Sequence, residues 1–406
     1  MRRVIFRITP FNRLSFPVLL NAWEQQQIDK HFKIIIRDTP LQPDDIFDND
    51  IILFSFMTSQ LPYIYEELSN IKRLNRKNIL TVGGGSHITG EQELSRALGF
   101  DVLFIGPGER SFVRFGNDLI LGNPISDVYH EEVMTEDFEN YLPVSGYMET
   151  LPPLEIMRGC YWKCKYCTTH MHHVQSRSIK SIEKYLSLGK QRGMIRVNFI
   201  SPSSMEYGAM KGRQVRIDLM QELMECIKSY SFRFVEYGIF PSEVRPDTVT
   251  SEGIALITKY VSNKHIAIGA QSGSDQRLKE ISRGHTVTDI ENACNIANAH
   301  GFSAQLDFII GYPDETAEER RITIDFIKRI SKNYKARAHI HHFIPLSGSP
   351  YGLRLPSFLS PIEKENLHAL KSAGIVIAGW ESNEIQVNFY LNWLKEKFPS
   401  FYERFH

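Results

Sequence analysis

Short apolar runs alternate with amphipathic stretches along residues 1–125. Val4–Ile8, Lys33–Arg37, Ile51–Phe56, Ile79–Val82 and Val102–Ile105 are rich in β-branched and aromatic residues and predict strands. Phe16–Lys30, Leu61–Leu74 and Glu91–Leu98 carry apolar residues near helical spacing. Strands alternating with helices predict a parallel sheet covered on both faces, of flavodoxin-like or Rossmann-like kind. Ligands of such sheets sit outside the carboxyl ends of the strands. Those ends carry Ser55–Ser59, Gly83–His87 and Gly106–Glu109.

Residues 126–150 break the pattern. They hold seven acidic residues, among them Glu131 and Glu132, and no Lys or Arg, which predicts a solvated linker. A second alternation follows over residues 151–355. Its strands are Leu154–Arg158, Val197–Ser201, Phe234–Phe240, His265–Gly269, Ser303–Ile310 and Arg337–Phe343. Helical patterns between them include Ile217–Lys228, Thr288–His300 and Ala317–Ser331. Six such units predict a partial (β/α)6 barrel with its active residues at the carboxyl ends of the strands. Residues 356–406 read as a small helical region ending in an aromatic segment, from Phe389 to Phe405, expected to be packed core or a cap.

Composition narrows the classes. The 406 residues predict two to three domains. Lys+Arg and Asp+Glu are both 47, so no basic excess points to nucleic acid. No run approaches the ~18 apolar residues of a membrane span. Arg7 interrupts the apolar N-terminal run, so the N-terminus reads as a strand rather than a signal peptide, and the cytoplasm is the expected compartment. The five cysteines argue against a disulfide framework, because the number is odd and none precedes Cys160. Cys226 and Cys294 fall in helical patterns and read as core thiols.

The other three, Cys160, Cys164 and Cys167, stand in a CxxxCxxC spacing, RGCYWKCKYCTTH, directly after the first barrel strand. Three thiolates suit a four-iron cluster with one iron left open. The plain alternative is a zinc site completed by His170, His172 or His173. The motif, with Tyr166 before the third cysteine, resembles that of the radical S-adenosylmethionine (SAM) superfamily. That resemblance implies a [4Fe-4S] cluster on the three cysteines, SAM chelated to the open iron, and a low-potential electron donor. In the family one electron cleaves SAM to methionine and a 5′-deoxyadenosyl radical.

Further segments extend the resemblance over about residues 154–350. NFISPSS places Ser201 and Ser203 where relatives grip the SAM amino group. GAQSGSDQRLKEISRGHT offers Gln271, Ser272 and Arg283 toward the SAM polar groups. DFIIGYPDET implies that Asp307 meets the ribose hydroxyls and that Ile309 and Gly311 flank the adenine. An acidic residue can accept both hydroxyls, and a glycine lets backbone approach a flat base.

TVGGGSHITG and DVLFIGPGE in the N-terminal region resemble the cobalamin-binding domains fused to such barrels. The resemblance implies cobalamin contacts at Ser55, Thr58, Gly83, Gly84, Gly85, His87, Gly106, Gly108 and Glu109. GSHITG lacks the aspartate of the cobalt-ligating histidine motif, so His87 is not expected on cobalt.

The leading expectation is therefore a cobalamin-dependent radical SAM C-methyltransferase that acts on an unactivated carbon. ISPSSMEYG and FPSEVRP resemble an archaeal, methanogen-type subgroup. This implies a protein or peptide substrate, with a glutamine α-carbon of methyl-coenzyme M reductase as the specific guess and a small molecule as the other class. Tyr207, Glu243, Arg245, His341 and His342 are the substrate-side candidates. Alternatives are a methylthiotransferase, a cyclising or oxidising cobalamin radical enzyme, and a non-catalytic cobalamin or redox sensor.

Overall fold

The structure is a computed structural model that describes residues 1–10, 12–130 and 134–406. Two compact units emerge. One comprises Met1–Pro153 with Leu346–Gly352 and Phe389–Phe405; the other comprises Leu154–Pro345 with Leu353–Asn388 and His406.

The first unit is built on a six-stranded parallel sheet. Its strands are β1 (Arg2–Arg7), β2 (Phe32–Arg37), β3 (Ile51–Ser55), β4 (Leu80–Gly84), β5 (Val102–Ile105) and β6 (Val128–His130). The order is β2-β1-β3-β4-β5-β6, so the chain reverses direction across the sheet between β1 and β3. IILFS of β3 is buried at every position, as expected of a strand covered on both faces. The helices are α1 (Phe16–Gln25), α2 (Leu61–Arg73), α3 (Ser86–Gly90), α4 (Gln92–Ala97), α5 (Glu109–Leu121) and α6 (Thr135–Asn140). Leu61, Ile64, Leu68 and Ile71 form the buried stripe of α2. Trp23 of α1 stacks between Phe32 and Phe112 at 5.3 and 4.3 Å, and its indole donates to the Phe112 carbonyl at 2.7 Å. That donor is why a tryptophan can be fully buried here.

The acidic stretch 126–150 is not a solvated linker. Val128–His130 pairs with β5, Tyr129 stacks on Phe104 at 5.2 Å, and Phe138, Leu142 and Val144 are buried. Its charge count masked these spaced apolar residues; Glu131 and Glu132 lie outside the described residues. The aromatic end of the chain packs within this unit. Tyr65 meets Trp393 and Phe398 edge-on at 5.6 and 5.4 Å, and Arg404 pairs with Glu91 at 3.2 Å.

The second unit is an open parallel barrel. Its first strands are short: β7 (Leu154–Glu155), β8 (Met157–Arg158), β9 (Gln175–Ser176), β10 (Arg196–Val197), β11 (Phe199–Ile200) and β12 (Phe234–Val235). The expected strand Phe234–Phe240 pairs only at its start. Beyond it Gly238 turns with φ +72°, and the chain rejoins its neighbour through a single bridge, Val244 to Ile268. The later strands are regular: β13 (His265–Gln271), β14 (Ser303–Ile310), β15 (Arg337–His342) and β16 (Val376–Gly379), hydrogen-bonded in that order. β16 adds one strand to the otherwise helical tail, where the apolar run VIAG was hidden between two amphipathic segments.

Helices α7 (Ile179–Gln191), α8 (Ile217–Ser229), α9 (Ser251–Thr258), α10 (Asp275–Glu280), α11 (Val287–Ala299), α12 (Ala317–Tyr334) and α13 (Pro361–Ser372) join the strands; α14 (Trp380–Lys397) and α15 (Pro399–Tyr402) follow. Their starts are chemically marked. Thr286 with Asp289, Thr316 with Glu319 and Ser360 with Glu363 form capping boxes that satisfy otherwise orphaned amides. In β14, Ala304, Leu306, Phe308 and Ile310 are buried while Gln305, Asp307 and Ile309 stand half-exposed on the opposite face. β15 repeats this alternation, which puts Asp307 beside His339 and Ile309 beside His341 in register.

Candidate active site

The cysteine loop leaves β8 through Gly159, whose φ is +75° and whose missing Cβ would sit 2.5 Å from the His173 carbonyl. Only glycine suits that turn. Backbone bonds from Lys165 to the Ile281 carbonyl (3.0 Å) and from Cys167 to the Cys164 carbonyl (3.1 Å) pin the loop. Trp162, between the first two cysteines, lies under the Arg245 guanidinium at 3.7 Å and directs its indole nitrogen to Glu206 at 3.4 Å. Gly284 makes room for the ring, since a Cβ there would stand 2.5 Å from it.

Cys164 is buried, and Cys160 and Cys167 are partly exposed. Cys167 Sγ accepts from the Thr169 amide at 3.4 Å. Burial pushes the Cys160 thiol up to about 11. Three cysteine thiolates in one loop suit a four-iron cluster with one iron left open.

Arg283 reaches the loop from the segment after β13. It is a half-buried cation beside the thiols, donating from Nη1 toward Cys164 Sγ at 3.7 Å and from Nη2 to the Gly269 carbonyl at 2.9 Å. Burial works against its charge, but Tyr166, Cys164 and Asp247 outweigh that and hold it protonated. Tyr166 is half-buried 5.8 Å from Tyr312, and desolvation drives its phenol up. Gln271 adopts φ +70°, in the left-handed region where a non-glycine residue is strained, at an irregularity in β13. A Cβ at Gly269 would stand 2.7 Å from Arg283 Nη2 and 2.9 Å from Gln271 Nε2, so that glycine admits both.

Ser203 is buried with an unpartnered hydroxyl, and Ser201 Oγ accepts from the Ser203 amide at 3.3 Å. Ser272 instead turns inward to Thr323 Oγ1 at 3.2 Å. Gly311, with φ +79°, lets the chain pass His342; a Cβ would lie 2.5 Å from its Nε2. Ile309 is half-buried on the face that carries Asp307.

Of the five substrate-side candidates, two come together. Glu243 and His341 lie close enough to Asp307 for their charges to act on one another. Burial, with Asp307 adding to it, pushes the Glu243 carboxyl up to about 7. Asp307 Oδ1 stands 3.1 Å from His339 Nδ1 and 3.8 Å from His341 Nε2. Burial raises the Asp307 carboxyl, but the imidazoles outweigh it and hold the carboxyl below its ordinary value.

The other three do not join that group. Tyr207 is buried and donates to the Arg177 carbonyl at 2.7 Å. Arg245 is buried, paired with Asp247 at 3.0 Å and roofed by Trp162. His342 is buried, with Nδ1 3.0 Å from the Phe343 carbonyl. Sequence reasoning passed over Trp162, Glu206, Asp247, His339 and Asn383. The alternation in RAHIHH was the available sign for His339, since it shares a strand face with His341.

In the first unit, the loops after β3, β4 and β5 are knitted together. His87 is buried, with Nδ1 3.1 Å from Thr58 Oγ1 and 3.0 Å from Ser347 Oγ. Burial pulls its imidazole down to about 3, so it is neutral, and its Nε2 is buried without a partner. Thr89 bonds the Gly85 carbonyl at 3.1 Å and accepts from the Gly106 amide at 3.0 Å. Gly85 is held at φ +101° against Phe56 backbone, Gly83 packs under Ile88 and Phe100, and Gly108 lies against Leu19. An added Cβ at Gly84 would touch Phe104 at 3.6 Å and one at Gly106 would touch His130 at 3.8 Å, ordinary packing distances. Ser55 is buried at the end of β3 and Glu109 at the start of α5. These loops and the unpartnered His87 nitrogen gather at the carboxyl edge of a doubly wound sheet, where ligands of such sheets bind.

Residues 154–327 match the Radical SAM superfamily. The threonylcarbamoyladenosine tRNA methylthiotransferase MtaB of Aquifex aeolicus is 25% identical over 312 residues, 74% of this chain and 72% of that protein. The radical SAM methyltransferase TsrM of Kitasatospora setae, solved with cobalamin and a [4Fe-4S] cluster bound, superposes with a TM-score of 0.61 at 14% identity. It covers 87% of this chain and 77% of its own. The cobalamin-dependent radical enzyme OxsB, solved with aqua-cobalamin and SAM, gives 0.64 at 15% identity over 100% of this chain and 56% of its own. Such likenesses establish a shared fold. Residues 154–327 thus match a radical SAM domain, whose fold implies a [4Fe-4S] cluster and SAM, and the chain shares its α/β fold with TsrM and OxsB.

Proposed function

We propose that this protein is a cobalamin-dependent radical SAM C-methyltransferase. The observation that carries the reading is the loop holding Cys160, Cys164 and Cys167 with the Arg283 guanidinium against Cys164. The three cysteines would hold the cluster. Tyr166, Ser201, Ser203, Gln271, Arg283, Ile309 and Gly311 would surround SAM; Ser272 would support them through Thr323. Gly84, Gly106 and the edges formed by Ser55, Thr58 and Glu109 would receive cobalamin. When bound, these groups supply radical chemistry and a methyl group. The chain's own part is to align the reactants and keep water out.

The substrate would be a peptidyl residue, with the glutamine α-carbon of methyl-coenzyme M reductase as the specific candidate. Support comes from the ISPSSMEYG and FPSEVRP segments. A methylthiotransferase is the second reading, favoured by the likeness to MtaB. Those enzymes use three further N-terminal cysteines, and residues 1–159 here contain none.

The test is anaerobic reconstitution with iron, sulfide, SAM, hydroxocobalamin and a low-potential reductant, followed by mass spectrometry of a peptide carrying the candidate glutamine. Formation of 5′-deoxyadenosine together with a single methyl increment on carbon supports the proposal. A methylthio increment favours the second reading. Absence of 5′-deoxyadenosine and of cobalamin binding overturns the first.

A further inference from the structure

The concave face of β14 and β15 carries a second cluster of donor atoms, separate from the thiols. His339 and His341 are two residues apart on one strand, so both imidazoles leave the same face. Asp307 is the in-register partner of His339 on the neighbouring strand. Its Oδ1 lies 3.1 Å from His339 Nδ1 and 3.8 Å from His341 Nε2, and the two rings are 4.2 Å apart. One ligand atom from each residue falls within 4.8 Å of the others. Around a zinc ion with bonds of about 2.0–2.2 Å, neighbouring donor atoms are roughly 3.3 Å apart. Small side-chain rotations would bring this set to that spacing.

One further feature points to a ligand here. Asn383 lies beside His341, and its Oδ1 is buried with no hydrogen-bond partner. A buried acceptor left unpaired is costly, and a cation or its water would satisfy it.

We propose that Asp307, His339 and His341 form a site for a divalent first-row transition ion, such as zinc or iron(II). Two histidines and one carboxylate on one face leave coordination positions open. An oxygen ligand, from water or a substrate carbonyl, would take an open position. Asp307 is thereby assigned to a metal rather than to the ribose of SAM. The inference stands apart from the methyl-transfer reading, because it depends on neither cluster nor cobalamin.

The experiment titrates zinc, against a chromophoric chelator, into the full chain carrying its reconstituted cluster and into Asp307→Ala, His339→Ala and His341→Ala. Folding is checked by circular dichroism. The expected result is one tight zinc equivalent in the unsubstituted protein and at least tenfold weaker binding in each variant. A Cys160→Ala/Cys164→Ala/Cys167→Ala chain should keep that equivalent. If it misfolds, the histidine variants still decide. Cobalt(II) should give visible bands of a nitrogen–oxygen site that vanish in His339→Ala. Zinc binding unchanged in the Asp307, His339 and His341 variants overturns the site. So does a loss of SAM affinity in Asp307→Ala with zinc stoichiometry intact, which would return Asp307 to the ribose.

Discussion

Arg283 donates toward the sulfur of Cys164 at 3.7 Å while its other terminal nitrogen is bonded to the Gly269 carbonyl at 2.9 Å. A cationic donor on a thiolate stabilises the more negative, reduced state of whatever iron that sulfur holds. Arg283→Gln removes the charge, and a charge-assisted bond is worth about 1.5–3 kcal/mol. For one electron that corresponds to a fall in reduction potential of roughly 60–130 mV. An EPR-monitored redox titration of the reconstituted cluster measures this shift, and 5′-deoxyadenosine formation should drop with it. A merely structural role would lower cluster yield without moving the potential.

Gly90 closes α3 with its Cα pressed on the Ser347 backbone, where an added Cβ would overlap the carbonyl oxygen. That oxygen belongs to main chain and has no flexible end to swing away. Gly90→Ala should therefore force apart the contact that also brings Ser347 to His87 and Thr58. We expect a loss of about 1–3 kcal/mol, in the range of overpacked sites, read as a lower urea midpoint with an unchanged m-value. Gly99, with nothing within 4 Å of a Cβ but φ +96°, is the control for backbone strain without overlap.

His87 links stability to acid. Its imidazole sits near 3 in the fold, depressed by burial, against about 6.5 in the unfolded chain. Between those values the unfolded chain binds the extra proton, so stability is complete above about pH 6.5 and is lost as pH falls. The slope should approach about 1.4 kcal/mol per pH unit from this residue alone. Urea unfolding of the full chain at a series of pH values checks it. In His87→Gln the part of the slope that belongs to this group should disappear.

The legible parts of the sequence were those where one residue type has one structural use. β5 and β14 fall where the apolar runs predicted them, and α12 begins at Ala317 as its periodicity predicted. Cys160, Cys164 and Cys167 were legible because their spacing is chemical rather than conformational. What stayed hidden depends on long-range pairing. Ser347 meets Thr58 across 289 residues, which no local pattern encodes. No local pattern foretold that Arg245 would lie between Trp162 and Asp247. Asp307 and His339 are 32 residues apart and became neighbours only through the register of β14 on β15.

Glu315 should give the opposite pH response to His87. Its carboxylate accepts from the Gly311 amide at 2.5 Å, and Arg320 lies 3.9 Å away. Burial outweighs both and raises the carboxyl to about 7, from about 4.5 when exposed. Between those values the folded chain holds the proton and the unfolded chain does not. This group's contribution is therefore fully present below about pH 4.5 and is lost as pH rises through about 7. The ionised form costs on the order of 3 kcal/mol at pH 8. Glu315→Gln keeps an oxygen for the Gly311 amide and carries no charge. It should raise the thermal midpoint at pH 8 while leaving it unchanged at about pH 5, where the native carboxyl is already neutral. Differential scanning calorimetry at the two pH values reads the difference. Equal midpoints for the two proteins at pH 8 would show that Arg320 and Arg277 already compensate the charge.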